Sequence, residues 1–197
     1  ENTLVIISSY SGNTEETLNA FELALEKNAM IVCVSSGGKV IDIAKEKGFD
    51  HIIIPGGNPP RACLGYSLTQ LFFVLSHFGI ISKSFEAEFE KSVDFLKEKQ
   101  DEIKEKATQV TEQMLHKLPI IYAPAGYEGV AVRFRQQINE NSKMLCWHHA
   151  IPEMNHNELV GWRDENHDLA VVIFRNEDDY ERVRKRIEIN EEIISKC

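Results

Sequence analysis

Apolar and polar positions follow two rhythms along the first eighty residues, short apolar runs and helical stripes in alternation. Residues 4–7 are an unbroken apolar run closed by a Ser/Gly turn, the pattern of a strand buried on both faces. Residues 15–27 then set Leu18, Phe21, Ala24 and Leu25 on one helical face, with Glu15 and Glu16 in the first turn, where carboxylates suit the helix dipole. A second strand is expected over 30–34, ending in Ser35-Ser36-Gly37-Gly38, and a short helix over 40–47 is stopped by Gly48. A third strand over 51–54 ends in Pro55-Gly56-Gly57. This order predicts parallel strands joined by right-handed crossovers.

Residues 61–80 read as an apolar helix with Leu64, Leu68, Leu71, Phe72 and Leu75 in helical spacing. The chain then turns charged over 84–115, with Phe85, Phe89, Val93 and Leu96 as an apolar stripe that needs a packing surface. Ser84 caps this stretch only weakly, because Ala87 three residues on completes no capping box. A second α/β unit follows: strand 119–123, helix 130–143, strand 144–147, strand 169–174 and a charged helix 178–195. The expected division is 1–82 as a first lobe, 83–117 as a helical connection and 118–197 as a second lobe.

The composition narrows the function classes. A net charge of −9 argues against nucleic acid as a partner, although backbone amides and a few arginines still suit a small anion. No run approaches the roughly 20 apolar residues a membrane span needs. With no signal peptide visible, the expected location is cytoplasmic. Cys33, Cys63, Cys146 and Cys197 are scattered without a C-x-x-C pair and read as buried free thiols. The chain starts without Met inside a strand pattern and stops inside a helical one, which reads as a fragment of a longer protein, inactive by itself.

Four segments carry candidate chemistry. Ser8-Ser9-Tyr10-Ser11-Gly12-Asn13-Thr14 joins a strand to a helix start, where free N–H groups face an anion and Ser9, Ser11 and Thr14 add neutral donors. The same residues also suit an ordinary polar turn with an N-cap. The loop carries neither the P-loop nor the dinucleotide glycine pattern. Glu140 stands among polar residues near a predicted helix end, and His156 stands in the polar loop 152–158, sixteen residues further on. On residues alone, a solvated helix end and a surface loop are the preferred descriptions of them. Arg61, after Asn58-Pro59-Pro60, lies at a predicted helix start, which the dipole disfavours unless an anion binds there. His148, His149, His156 and His167 fit no tight metal-ligand spacing. Arg133 and Arg135 are expected on an exposed helix side, Trp147 and Trp162 in packing, and Glu128, His148 and His149 have no assigned role.

The run from Ser9 to Thr17, SYSGNTEET, resembles the phosphate-binding motif of sugar isomerase (SIS) domains. The segment QQINENSK, with Glu140, is similar to the second-lobe pattern of bifunctional phosphoglucose/phosphomannose isomerases. The resemblance implies an α/β fold of two SIS-type lobes, each a parallel-sheet three-layer α/β sandwich, the first N-terminally incomplete. It implies aldose–ketose isomerisation of glucose 6-phosphate or mannose 6-phosphate to fructose 6-phosphate. In that scheme Ser9, Ser11 and Thr14 hold the phosphate, and Glu140 moves the proton between C1 and C2. Arg61 stabilises the enediolate, and His156 opens the ring from the neighbouring subunit of a homodimer. No cofactor and no metal is implied. Two alternatives are a non-catalytic phosphosugar-binding SIS module, which needs neither Glu140 nor His156, and an SIS isomerase of another sugar phosphate.

Overall fold

In the computed structural model, which describes residues 3–197, β1 (Leu4–Ser8), β2 (Met30–Ser35) and β3 (Asp50–Ile53) pair in parallel in the order β1-β2-β3. The crossovers are α1 (Glu15–Glu26) and α2 (Gly38–Lys47). Their apolar faces close a core of Ile7, Phe21, Ala24, Ile31, Cys33, Val40 and Ala44. Phe21 is fully buried, and its burial alone contributes roughly 2–3 kcal/mol. Gly48, at φ +74°, ends α2 in the left-handed conformation. These elements belong to one compact unit ending at Leu96, and a second unit runs from Lys97 to Cys197.

The expected helix over 61–80 is shorter. Pro60–Ala62 forms a separate 3₁₀ turn, and α3 begins only at Leu64 and runs to His77. Leu64, Leu68 and Leu71 are exposed, while Val74 is buried. The stretch read as one helix over 84–115 is two, α4 (Phe85–Glu98) and α5 (Gln100–Met114). Lys97 in the last turn of α4 and Asp101 and Glu102 in the first turn of α5 match the dipoles of separate helices. Its apolar stripe is also unevenly used: Phe85 is buried against Phe72, Phe73 and Phe89, whereas Val93 and Leu96 are exposed.

The second unit holds another parallel sheet, β4 (Leu118–Pro124) flanked by β5 (Trp147–Ile151) and β6 (Leu169–Ile173) in the order β5-β4-β6. One face packs on α6 (Glu128–Gln137) through Ile121, Ala123, Ala131 and Ile138. The other packs on α7 (Glu153–Asn157) and α8 (Glu181–Ile194) through Ile120, Tyr122, Ile151, Met154 and Ile187. The strand expected at 144–147 lies three residues later, because the residues that enter the core are Ala150 and Ile151. Likewise the segment read as a loop over 152–158 contains α7, whose Met154 is fully buried.

Cys33, Cys63 and Cys146 are buried free thiols and Cys197 is half-buried. Burial pushes the Cys33 thiol up to about 11. Among the described residues no helix is long and apolar enough to cross a membrane.

Candidate active site

At the C-terminal end of β1 the chain folds back through the serine loop before entering α1. Ser9 is buried, and its Oγ lies 2.8 Å from Thr14 Oγ1 and accepts the Gly12 N–H at 3.2 Å. Thr14 precedes α1 without capping it, so its hydroxyl is turned to Ser9 and not to the helix amides. Only one of these two hydroxyl protons is used between the pair, which leaves the other for an acceptor. Ser11 is exposed, and its Oγ accepts the Asn13 N–H at 3.2 Å. Ser9, Ser11 and Thr14 therefore share one loop at a helix start, the arrangement that suits an anion.

This loop is tied to the turn after β2. Tyr10 O accepts the Ser36 N–H at 3.0 Å and the Ser36 hydroxyl at 2.6 Å, and Gly12 O accepts the Val40 N–H at 3.0 Å. Asn13 Oδ1 accepts the Lys39 N–H at 3.1 Å. The approach is close enough that a Cβ at Gly12, whose φ is +69°, would stand 1.8 Å from Gly37 O. Glycine is therefore required there by both sterics and conformation.

Arg61 is half-buried on the 3₁₀ turn Pro60–Ala62 and not on a helix start as expected. Pro60 opens that turn and Cys63 closes it at φ −107°, so α3 begins beyond the arginine. The turn is linked to the serine loop through Tyr10, whose hydroxyl oxygen accepts the Asn58 N–H at 3.0 Å. The neighbouring Cys63 thiol, which hydrogen-bonds this phenol, holds Tyr10 above its ordinary range.

In the second unit Glu140 lies in a π-helical turn, Ile138–Ser142, that ends α6. Such a turn, with its extra residue, interrupts the α-helical phase and re-aims side chains. Ile138 anchors it in the core, Glu140 is exposed, and Lys143 Nζ donates to Glu140 O at 2.6 Å. His156 is exposed on α7. The histidines that had no assigned role are paired: His148 Nε2 lies 3.7 Å from Glu128 Oε1, and His149 Nδ1 lies 2.8 Å from Glu158 Oε2. Arg133 and Arg135 are half-buried, not on an exposed side, and Arg135 Nε is buried without a hydrogen-bond partner. Trp162 packs in the core as expected, whereas Trp147 is 40% exposed. Among the described residues no three His, Cys, Asp or Glu side chains are grouped to hold a metal.

Sequence reasoning missed the pairing of Tyr122, His149 and Glu158, which has no local signature because its members come from three elements. A cavity of about 530 Å³ lined by Val32, His51, Phe73, Val74 and His77 contains none of the serine-loop residues.

Residues 103–197 match the family described as bacterial phospho-glucose isomerase C-terminal SIS domain. Across 98% of its length the chain is 39% identical to the bifunctional phosphoglucose/phosphomannose isomerase of Caldicellulosiruptor bescii, covering 60% of that protein. It is 34% identical to the protein of the same name from Aquifex aeolicus over 97% of the chain and 58% of that protein. The chain thus spans about 60% of the length of these curated relatives. Among solved structures, glucosamine-6-phosphate deaminase from Thermotoga maritima shares the fold with a TM-score of 0.69 at 16% identity, covering 98% of this chain and 59% of that one.

Proposed function

We propose that the chain belongs to the family of bifunctional phosphoglucose/phosphomannose isomerases, supported by the match over residues 103–197 and by its identity to two such proteins, and that it serves aldose–ketose isomerisation of a hexose 6-phosphate. The pair interconverted is glucose 6-phosphate or mannose 6-phosphate with fructose 6-phosphate. The observation that carries the proposal is the serine loop, where Ser9 and Thr14 are 2.8 Å apart at the start of α1. Hydroxyl and amide donors there bind a phosphate monoester without a fixed cation, so substrate and product exchange freely.

The chemistry after anchoring needs a base, an enediolate stabiliser and a ring-opening group. Glu140 is the base: it takes the C2 proton of the open-chain aldose and returns it to C1 through a cis-enediol, and the reverse from the ketose. Its exposed π-turn position, among Asn139, Asn141 and Ser142, supports access to substrate. Arg61 compensates the charge that develops on the enediolate oxygens. His156 transfers the proton that opens the pyranose or furanose, and we assign it to the neighbouring subunit of a homodimer, a role its exposure supports. In this reading the two compact units are two SIS-type lobes, each a three-layer sandwich on its parallel sheet, with the division near 1–82, 83–117 and 118–197. The location is the cytoplasm.

The test is Glu140→Gln in the full-length protein. Interconversion of glucose 6-phosphate and fructose 6-phosphate is expected to fall by at least about 10³-fold, with sugar-phosphate binding by calorimetry close to unchanged. Unaltered turnover would overturn the assignment. A coupled assay with glucose 6-phosphate, mannose 6-phosphate and arabinose 5-phosphate fixes the sugar class, and turnover of the pentose phosphate alone would replace the hexose reading.

A further inference from the structure

β4 and β5 are parallel neighbours with Tyr122 registered opposite His149, so both side chains leave the sheet on one face. Past the end of α7, Glu158 reaches both of them. The Tyr122 hydroxyl donates to Glu158 Oε1, and Glu158 Oε2 is 2.8 Å from His149 Nδ1. Trp162 Nε1 donates to the Tyr122 hydroxyl oxygen at 3.0 Å. Both carboxylate oxygens are thereby engaged, and Tyr122 is fully buried. Its burial, and then the bond to Glu158, raise the phenol far above its ordinary range and keep it a donor.

The remaining inward side chains of α7 are tied to α8. Asn155 Nδ2 donates to Asn190 Oδ1 at 2.5 Å, and Asn190 Nδ2 lies 3.4 Å from the sulfur of the fully buried Met154. Met154 and Glu158 are four residues apart and so fall on one side, while His156 lies roughly 200° round from Met154 and is exposed. A helix of five residues has no stability of its own. The direction of His156 is therefore set by what holds the inward side.

We propose that Glu158, held by Tyr122 and His149, is a positioning residue that fixes α7 and with it the imidazole of His156. Glu158 acts through His156 and does not touch the sugar. The proposal rests on the reading of His156 as the ring-opening group, and its test separates the two. In Glu158→Ala, hydrogen exchange of the amides in residues 153–157 is expected to speed up by about tenfold or more as the segment loses one of its anchors. In Glu158→Gln, whose amide oxygen still accepts from Tyr122, it stays near wild type. This readout holds whatever His156 does, and unchanged exchange in Glu158→Ala overturns the proposal.

Turnover of cyclic glucose 6-phosphate supplies the second arm. Glu158→Ala is expected to lower kcat by about tenfold or more with KM nearly constant, and Glu158→Gln to restore most of it. In a His156→Ala background, Glu158→Ala adds no further loss, because both changes remove one contribution. Independent, multiplying losses overturn the proposal, as does a Glu158→Gln variant as poor as the alanine. Full activity in His156→Ala overturns the ring-opening assignment instead. If Glu158→Ala fails to fold, Tyr122→Phe keeps the ring in the core and removes only the hydroxyl. The same exchange and double-variant comparison then applies to it.

Discussion

The serine loop of the first unit and the α7 segment that carries His156 in the second are held by different kinds of bond. Around the serine loop the acceptors and donors are largely main-chain groups: Tyr10 O, Gly12 O, Ser36 N–H, Lys39 N–H and Val40 N–H. Around α7 they are side chains, with Tyr122, His149, Trp162 and Asn190 reaching in from separate elements. A loop held by backbone offers directed N–H groups that only a proline could delete, but it tolerates no added atom at its points of closest approach. A histidine mounted through side chains is adjustable, and each anchor can be removed singly. The two regions therefore fail in different ways.

The largest effect is expected at Gly12. Gly12→Ala puts a methyl 1.8 Å from Gly37 O in a left-handed backbone conformation, and neither the carbonyl nor the loop beside it can yield without breaking the bonds to Tyr10 and Val40. A loss of about 3 kcal/mol or more is expected from urea unfolding followed on the first unit. A cost below about 1 kcal/mol would show that the loop is looser than its hydrogen bonds indicate. At Gly57, also at positive φ but with nothing within 4 Å of the added carbon, only the conformational part of that cost is expected.

Asn190 gives the corresponding break in the second unit, and a smaller one. It is 1% exposed on α8 and is the partner of Asn155, whose Oδ1 is already buried without a hydrogen bond. Asn190→Leu removes the partner of the Asn155 amide group as well, and about 2 kcal/mol of stability should be lost. Asn190→Leu combined with Asn155→Leu should recover part of it, because replacing both members of a buried polar pair leaves no orphan. No recovery in the double variant would mean that Asn155 has other work on α7.

These differences also explain what the amino-acid sequence revealed. The strand–serine loop–helix of the first unit is local: Gly12, the hydroxyls and the carboxylates of the first helical turn stand together in the chain, so pattern and motif agree. Arg61 was visible as a candidate, but Pro60 and Cys63 divide its turn from α3, a division that helical spacing from Leu64 to Leu75 conceals. In the second unit His148 and His149 interrupt the apolar run of β5, so the strand seemed to end where it begins. Glu140 and His156 stood out only through their resemblance to a family. Tyr122 and Glu158, which help to hold α7, stand 36 residues apart, a separation that no periodicity reports. The break between α4 and α5 lies between these cases, since Lys97, Asp101 and Glu102 carry the right charges but the apolar stripe runs past them.

The smallest effect expected is at Tyr10, and it is the sharpest test of the contrast because Tyr10 is a side-chain link in the backbone-built site. Its hydroxyl oxygen accepts the Asn58 N–H at 3.0 Å and lies beside Cys63, so it joins the serine loop to the turn that carries Arg61. Asn58 is exposed, and water can replace the phenol as acceptor once it is gone. Tyr10→Phe should therefore leave the unfolding midpoint nearly unchanged. Arg61, by contrast, sits on the short 3₁₀ turn that Asn58 leads into, so loosening Asn58 shifts the turn that carries the guanidinium. If the proposed enediolate role of Arg61 holds, the loss falls on kcat, about three- to tenfold, and KM for the sugar phosphate changes less. If KM rises instead and kcat stands, Tyr10 serves the phosphate loop and not Arg61. A Tyr10→Phe variant that unfolds like Gly12→Ala would mean that side chains hold both regions alike, and the distinction between them would be lost.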